Sequence, residues 1–127
     1  LAARHGAPNA PEHLLRLPIL DPSDPWWPKW FAAAGIDAEG KLSSLRGSVY
    51  TVQTLEAGAA MAGAGVAILT PAFYKAELAS GRLIQPFDIV GDDGRGYWLV
   101  YPENRGNSPK IRAFRDWILT EAEASPG

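Results

Sequence analysis

Few side chains in this chain could do covalent chemistry. Its 127 residues include no cysteine, which excludes disulfides, thiol catalysis and cysteine-ligated metals. His5 and His13 are the only histidines; both lie in a polar N-terminal stretch and share no helical register. Surface positions suit them better than a metal pair or a catalytic base. Without a neighbouring histidine, Ser23, Ser48, Thr51 and Thr70 build no nucleophilic triad. The carboxylate pairs Asp21/Asp24 and Asp92/Asp93 sit in loop-forming sequence, where acids more often shape turns than move protons. The expectation is a protein that is not an enzyme, with no catalytic set, no metal site and no cofactor.

Binding is better supplied than catalysis. Trp26, Trp27 and Trp30 fall within one short run. They could stack on a ring, but the helical spacing of Trp27, Trp30 and Phe31 favours core packing and leaves Trp26 nearest a cleft. Gly63-Ala64-Gly65 invites a nucleotide reading. The phosphate-binding fingerprint runs strand, glycine loop, helix. Here a helix precedes and a strand follows, so a simple turn fits better. Thr51 can start a helix, where free N–H groups and the dipole favour an anion. It reads equally as a cap alone or as a cap that also meets a ligand.

These positions are placed by the stretch from Ser48 to Phe87, around which the chain is organised. Val66 to Leu69 is wholly apolar and bounded by glycine and Thr70-Pro71. That suits a parallel strand buried on both faces, although a run so short does not exclude helix. Before it, Val52, Leu55, Ala59 and Ala62 recur at helical spacing, and Gly63 stands at a left-handed cap position. Thr70 as N-cap and Pro71 at the first turn open a helix over 71–80. Gly81 closes it, and 82–87 returns as a strand.

Earlier in the chain, 1–12 is ragged and non-periodic, as in a piece of a longer protein. Strand 17–20 follows, then the loop 21–25, a helix over 26–34 ended by Gly35, a polar connection 37–44 and strand 45–50. Later come a glycine-rich loop 91–96, strand 97–101 and a helix opened by Ser108-Pro109. Ile111, Phe114, Trp117 and Ile118 mark the buried face of that last helix. The alternation predicts an α/β fold, a mostly parallel sheet flanked by helices. Ligands of such sheets bind beyond the carboxyl ends of the strands. That marks Asp21 to Asp24, Tyr50 to Val52, and Thr70 as the candidate rim.

A hydrophobic content of 46% rules against disorder. No apolar run approaches the roughly 18 residues of a membrane span, and no leader pattern opens the chain. Twelve basic and fourteen acidic side chains are interspersed, for a net charge of −2. There is no basic stripe for gripping DNA. The absence of cysteine fits a cytoplasmic chain.

Several motifs carry a family resemblance. Residues 57–71, AGAAMAGAGVAILTP, resemble the AA-x-x-G-x-GVAL-x-P segment of LysR-type transcriptional regulators. Residues 77–87, ELASGRLIQPF, are similar to their L-x-x-G-x-L-V-x-P-F run. GYWLVYP at 96–102 and IRAFRDWI at 111–118 resemble the closing strand and helix. Trp27-Pro28-Lys29-Trp30-Phe31 is similar to the W-x-x-W helix of the branch holding the glycine-cleavage activator and the beta-lactamase regulators. The match spans nearly the whole chain in order.

The resemblance implies the C-terminal part of an effector-binding domain with the fold of type 2 periplasmic binding proteins, a three-layer αβα lobe. It implies that 1–96 form the second lobe, and that 97–127 form the crossover strand and C-terminal helix returning to the first. DNA would be reached only through a separate N-terminal winged helix-turn-helix. A small-molecule effector would bind between the lobes of a homo-oligomer with no membrane partner; an amino acid or carboxylate suits the helix start at Thr51. Carried over loosely, its contacts would be Asp21, Ser23, Tyr50, Thr51 and Val52; the strand-end rim adds Thr70, and the tryptophan run adds Trp26. Three readings compete. They are a solute-binding protein of a transport system, an enzyme on a parallel sheet, and an α/β interaction module with its cleft filled by side chains.

Overall fold

The computed structural model describes residues 6–96 and 98–124. His5 and Tyr97 lie outside the described residues. Contacts divide the chain into two compact units, residues 1–93 and 94–127.

In the first unit a 3-10 turn, Pro11–Arg16, leads into the extended residues 17–20. Helix α1, Trp26–Ala33, follows the loop. The Asp24 carboxylate accepts the Trp26 N–H at 2.8 Å and so satisfies one amide that the start of α1 leaves open. Gly35, at φ 76°, ends it. The Gly35 and Ile36 amides bond back to Ala32 and Phe31, satisfying carbonyls that the helix end leaves open. The connection expected to be irregular holds a short helix α2, Glu39–Leu42, whose Leu42 is buried. Helix α3, Gln53–Met61, ends in the same way: Gly63 at φ 77°, with the Gly63 and Ala64 amides on Ala60 and Ala59. The core is Leu14, Ile19, Trp27, Phe31, Ala38 and Leu42, with Trp30, Val66, Ile68 and Phe87 packed against it. Trp27 and Phe31 are buried on the face of α1 that the periodicity predicts.

The sheet departs from expectation. Among the described residues no strand forms, and Ile19–Val66 is one isolated parallel bridge. Three extended segments still lie side by side. Leu20 N–H bonds Val66 O, Val66 N–H bonds Pro18 O, and Ser48 N–H bonds Leu20 O, at 2.8–2.9 Å. The ladder stops because side chains take the next amides. Tyr50 N–H goes to Asp21, Ile68 N–H to Glu56 and Thr70 N–H to Gln53. The expected strands over 82–87 and 98–101 are irregular.

Close approach fixes two glycines. A Cβ on Gly65 would strike Pro18 O and the Leu20 side chain; one on Gly47 would strike Pro22 and Leu20 O. Both lie against the central segment 17–20 or the loop just after it.

The structure also differs at the ends and faces of the helices. Thr51 does not cap α3: the extended Val52 holds that place, with no side-chain cap bond. The buried face of α3 is Glu56 and Ala57, while Val52 and Leu55 are exposed. The helix predicted over 71–80 breaks at Tyr74 into a 3-10 turn, Pro71–Phe73, and helix α4, Lys75–Ala79. Thr70 makes no cap bond there, because its hydroxyl meets Gln53 instead.

The second unit holds a 3-10 turn, Glu103–Arg105, and helix α5, Pro109–Ala124. No residue of α5 is buried, and Phe114 and Trp117 are half exposed. One helix and irregular chain make no core of their own, which is why the face predicted to be buried is half exposed.

Candidate effector site

The three extended segments carry their polar residues to one end. Asp21, first after the central segment, is the hub. It is 3% exposed. Oδ1 accepts the Ser23 N–H at 3.1 Å and the Ser23 hydroxyl at 2.5 Å. Oδ2 accepts the Tyr50 N–H at 2.8 Å. Burial by itself would raise the Asp21 carboxyl. The bonds from Ser23, Tyr50 and Asp24 outweigh it and hold the carboxyl below the usual carboxylate value. Asp21 is therefore an anion fixed by its own chain, with Ser23 exposed beside it.

Helix α3 borders the rim on the other side. Gln53 clasps Thr70 twice: its Oε1 accepts the Thr70 N–H at 3.1 Å and its Nε2 donates to Thr70 Oγ1 at 3.2 Å. One turn on, Glu56 Oε1 accepts the Ile68 N–H at 3.3 Å. Glu56 is 2% exposed. Burial first, then the charges of Asp24 and Asp21, push its carboxyl up to about 7, against the pull of the Ile68 bond. Burial also raises the Tyr74 phenol, helped by Glu56 and Glu77.

Asp21 thus draws Ser23 and Tyr50 together, and Gln53 draws Thr70 to the start of α3, where Thr51 and Val52 are exposed. Trp26 is half-buried, with the Lys29 ammonium 4.2 Å from its ring centroid. Lys29 also reaches Asp93 at 2.5 Å, and Trp30 Nε1 donates to Ile89 O at 2.9 Å. These bonds strap residues 89–93 over α1. A shallow depression of about 380 Å³, lined by Pro28, Ala32, Ile36 and Asp37 among others, shares no residue with the rim.

Sequence reasoning missed Gln53 and Glu56. The signal was present: two polar residues three apart share one face of an alanine-rich helix that faces an apolar run. Among the described residues no group of histidine, aspartate and glutamate could hold a metal ion, and no helix is long and apolar enough to cross a membrane.

Comparison with known proteins bears on the family and the fold. The chain is 35% identical over 111 residues to the HTH-type transcriptional activator AmpR of Citrobacter koseri, covering 87% of this chain and 35% of that protein. It is 30% identical over 117 residues to the glycine cleavage system transcriptional activator of Escherichia coli K12, covering 91% of this chain and 37% of that protein. The chain thus spans about a third of the length of these relatives. The crystal structure of the effector domain of the transcriptional regulator AmpR of Pseudomonas aeruginosa superposes with a TM-score of 0.72 at 32% identity. That match covers 97% of this chain and 57% of that one. The LysR substrate binding domain family matches residues 1–123, and the chain belongs to that family.

Proposed function

We propose that the chain is the effector-sensing part of a LysR-type transcriptional regulator. The observation that carries the reading is the likeness to a solved effector domain over 97% of the chain, within a family match to residues 1–123. In this reading, 1–96 are the second lobe of the effector domain. Residues 97–127 are the crossover strand and helix returning to the first lobe. The bridged segments belong to a mostly parallel sheet between helix layers. A small metabolite, an amino acid or carboxylate, meets the rim at Asp21, Ser23, Trp26, Tyr50, Thr51, Val52 and Thr70. Asp21 acts there by orienting Ser23 and Tyr50, since both its oxygens already accept protein donors.

The effector works by population shift. Binding between the lobes favours one lobe angle and one oligomer, which resets how a separate winged helix-turn-helix sits on DNA. The whole protein is a cytoplasmic, non-catalytic homo-oligomer. The names of the relatives, all transcriptional regulators, favour this over a transport protein.

Titration of amino acids and carboxylates into the full-length regulator tests the reading. One of them is expected to change the scattering profile saturably and raise Tm. Thr51→Ala should weaken that binding about tenfold, or about 1.4 kcal/mol. No response of shape or stability to any compound of these classes would sink it.

A further inference from the structure

One buried titratable group has no part in the effector reading. Glu56 lies on the inner face of α3, 2% exposed, and reaches across to the Ile68 amide. The groups facing it are acidic or neutral. Asp21 and Asp24 stand on the loop that leaves the central segment. Tyr74, itself near Glu77, stands between Phe73 and α4. Among the described residues Asp21, Asp24 and Glu56 make no ion pair with a lysine, arginine or histidine. A third negative charge in this corner would have no partner, and a buried charge without one is costly.

We propose that Glu56 is a proton-sensitive joint: protonated, it seats α3 against residues 66–70; ionised, it pushes α3 and the 21–24 loop apart. The Gln53–Thr70 clasp, one turn away, carries no charge and holds in either state. The moving part is therefore the Glu56 side of the contact. Its effect reaches Tyr50 and Ser23, because both hang on Asp21. The joint belongs to the helix contact and works with or without a bound metabolite.

The sign follows from the raised value. The carboxyl titrates near 4.5 when unfolded and about 7 when folded. The stability it contributes is full below the first value and is lost as pH rises through the second. The test is an NMR titration of the whole chain from pH 4 to 8.5, read at the Glu56 carboxyl carbon and at the Tyr50, Ile68 and Thr70 amides. The expected result is a carboxyl midpoint between 6 and 8, with the Ile68 and Tyr50 amides moving at the same midpoint and Thr70 moving less. In parallel, Tm of the wild type should fall by several degrees from pH 5 to 8, and E56Q should flatten that fall. A Glu56 midpoint between 4 and 5 overturns the proposal, as do Ile68 and Tyr50 amides that ignore it. The wild-type titration decides even where E56Q does not fold.

Discussion

Asp21 and Glu56 are two buried carboxyls whose charge states are set in opposite directions. Asp21 accepts the Ser23 amide and hydroxyl and the Tyr50 amide and stays ionised, whereas Glu56 accepts the Ile68 amide and faces two anions. Asp21→Asn leaves one oxygen for donors on two sides and turns an NH₂ toward an N–H. The expected loss is about 1–3 kcal/mol, seen as a lower urea midpoint at unchanged slope. Because the Asp21 carboxyl is held low, its contribution is present above about pH 4 and lost as pH falls through the folded value. The variant should therefore lack that part of the acid-side loss. At this scale the rim acids were legible as loop residues, but the use of Asp21 was not. Spacing shows that an acid ends a segment; it does not show which amides will turn toward it. Glu56 escaped notice because a lone acid in a helix normally reads as a wet residue.

For elements, the sequence placed α1, α3 and α5 within a few residues, since their periodicity and closing glycines are local signals. The spacing did not show which face of α3 is buried. Alanines and Gly58 suit either side, so Leu55 and Val52 seemed to decide the face, yet both are exposed. The described residues hold fewer regular strands than expected for a related reason. Apolar runs show that residues 66–69 are extended and half-buried, but a ladder also needs free amides, and Glu56 and Gln53 take two of them. The tight packing of the three segments gives a sharp comparison. Gly63→Ala forces a side chain into φ 77° and should cost about 1 kcal/mol. Gly65→Ala drives a methyl into the Pro18 carbonyl and the Leu20 side chain, where the backbone itself must yield. A loss of about 2–3 kcal/mol is expected. Denaturant unfolding of the two variants side by side checks the order; equal losses would refute the close-approach argument.

At the scale of the whole molecule, residues 1–93 own the core and residues 94–127 do not. The exposure of Phe114 and Trp117 was not legible, since helical spacing gives a face but not its cover. The five indoles are divided in the same way. Trp26, Trp27 and Trp30 sit on α1, the last two in mutual ring contact, while Trp98 and Trp117 are 85% and 54% exposed in the second unit. The chain consequently carries two built-in optical reporters. Acrylamide should extinguish the red-edge emission of the second unit first and leave a blue component from α1, giving a downward-curving Stern–Volmer plot. That blue remainder can be followed through melting as a signal of the first unit alone, with no label attached.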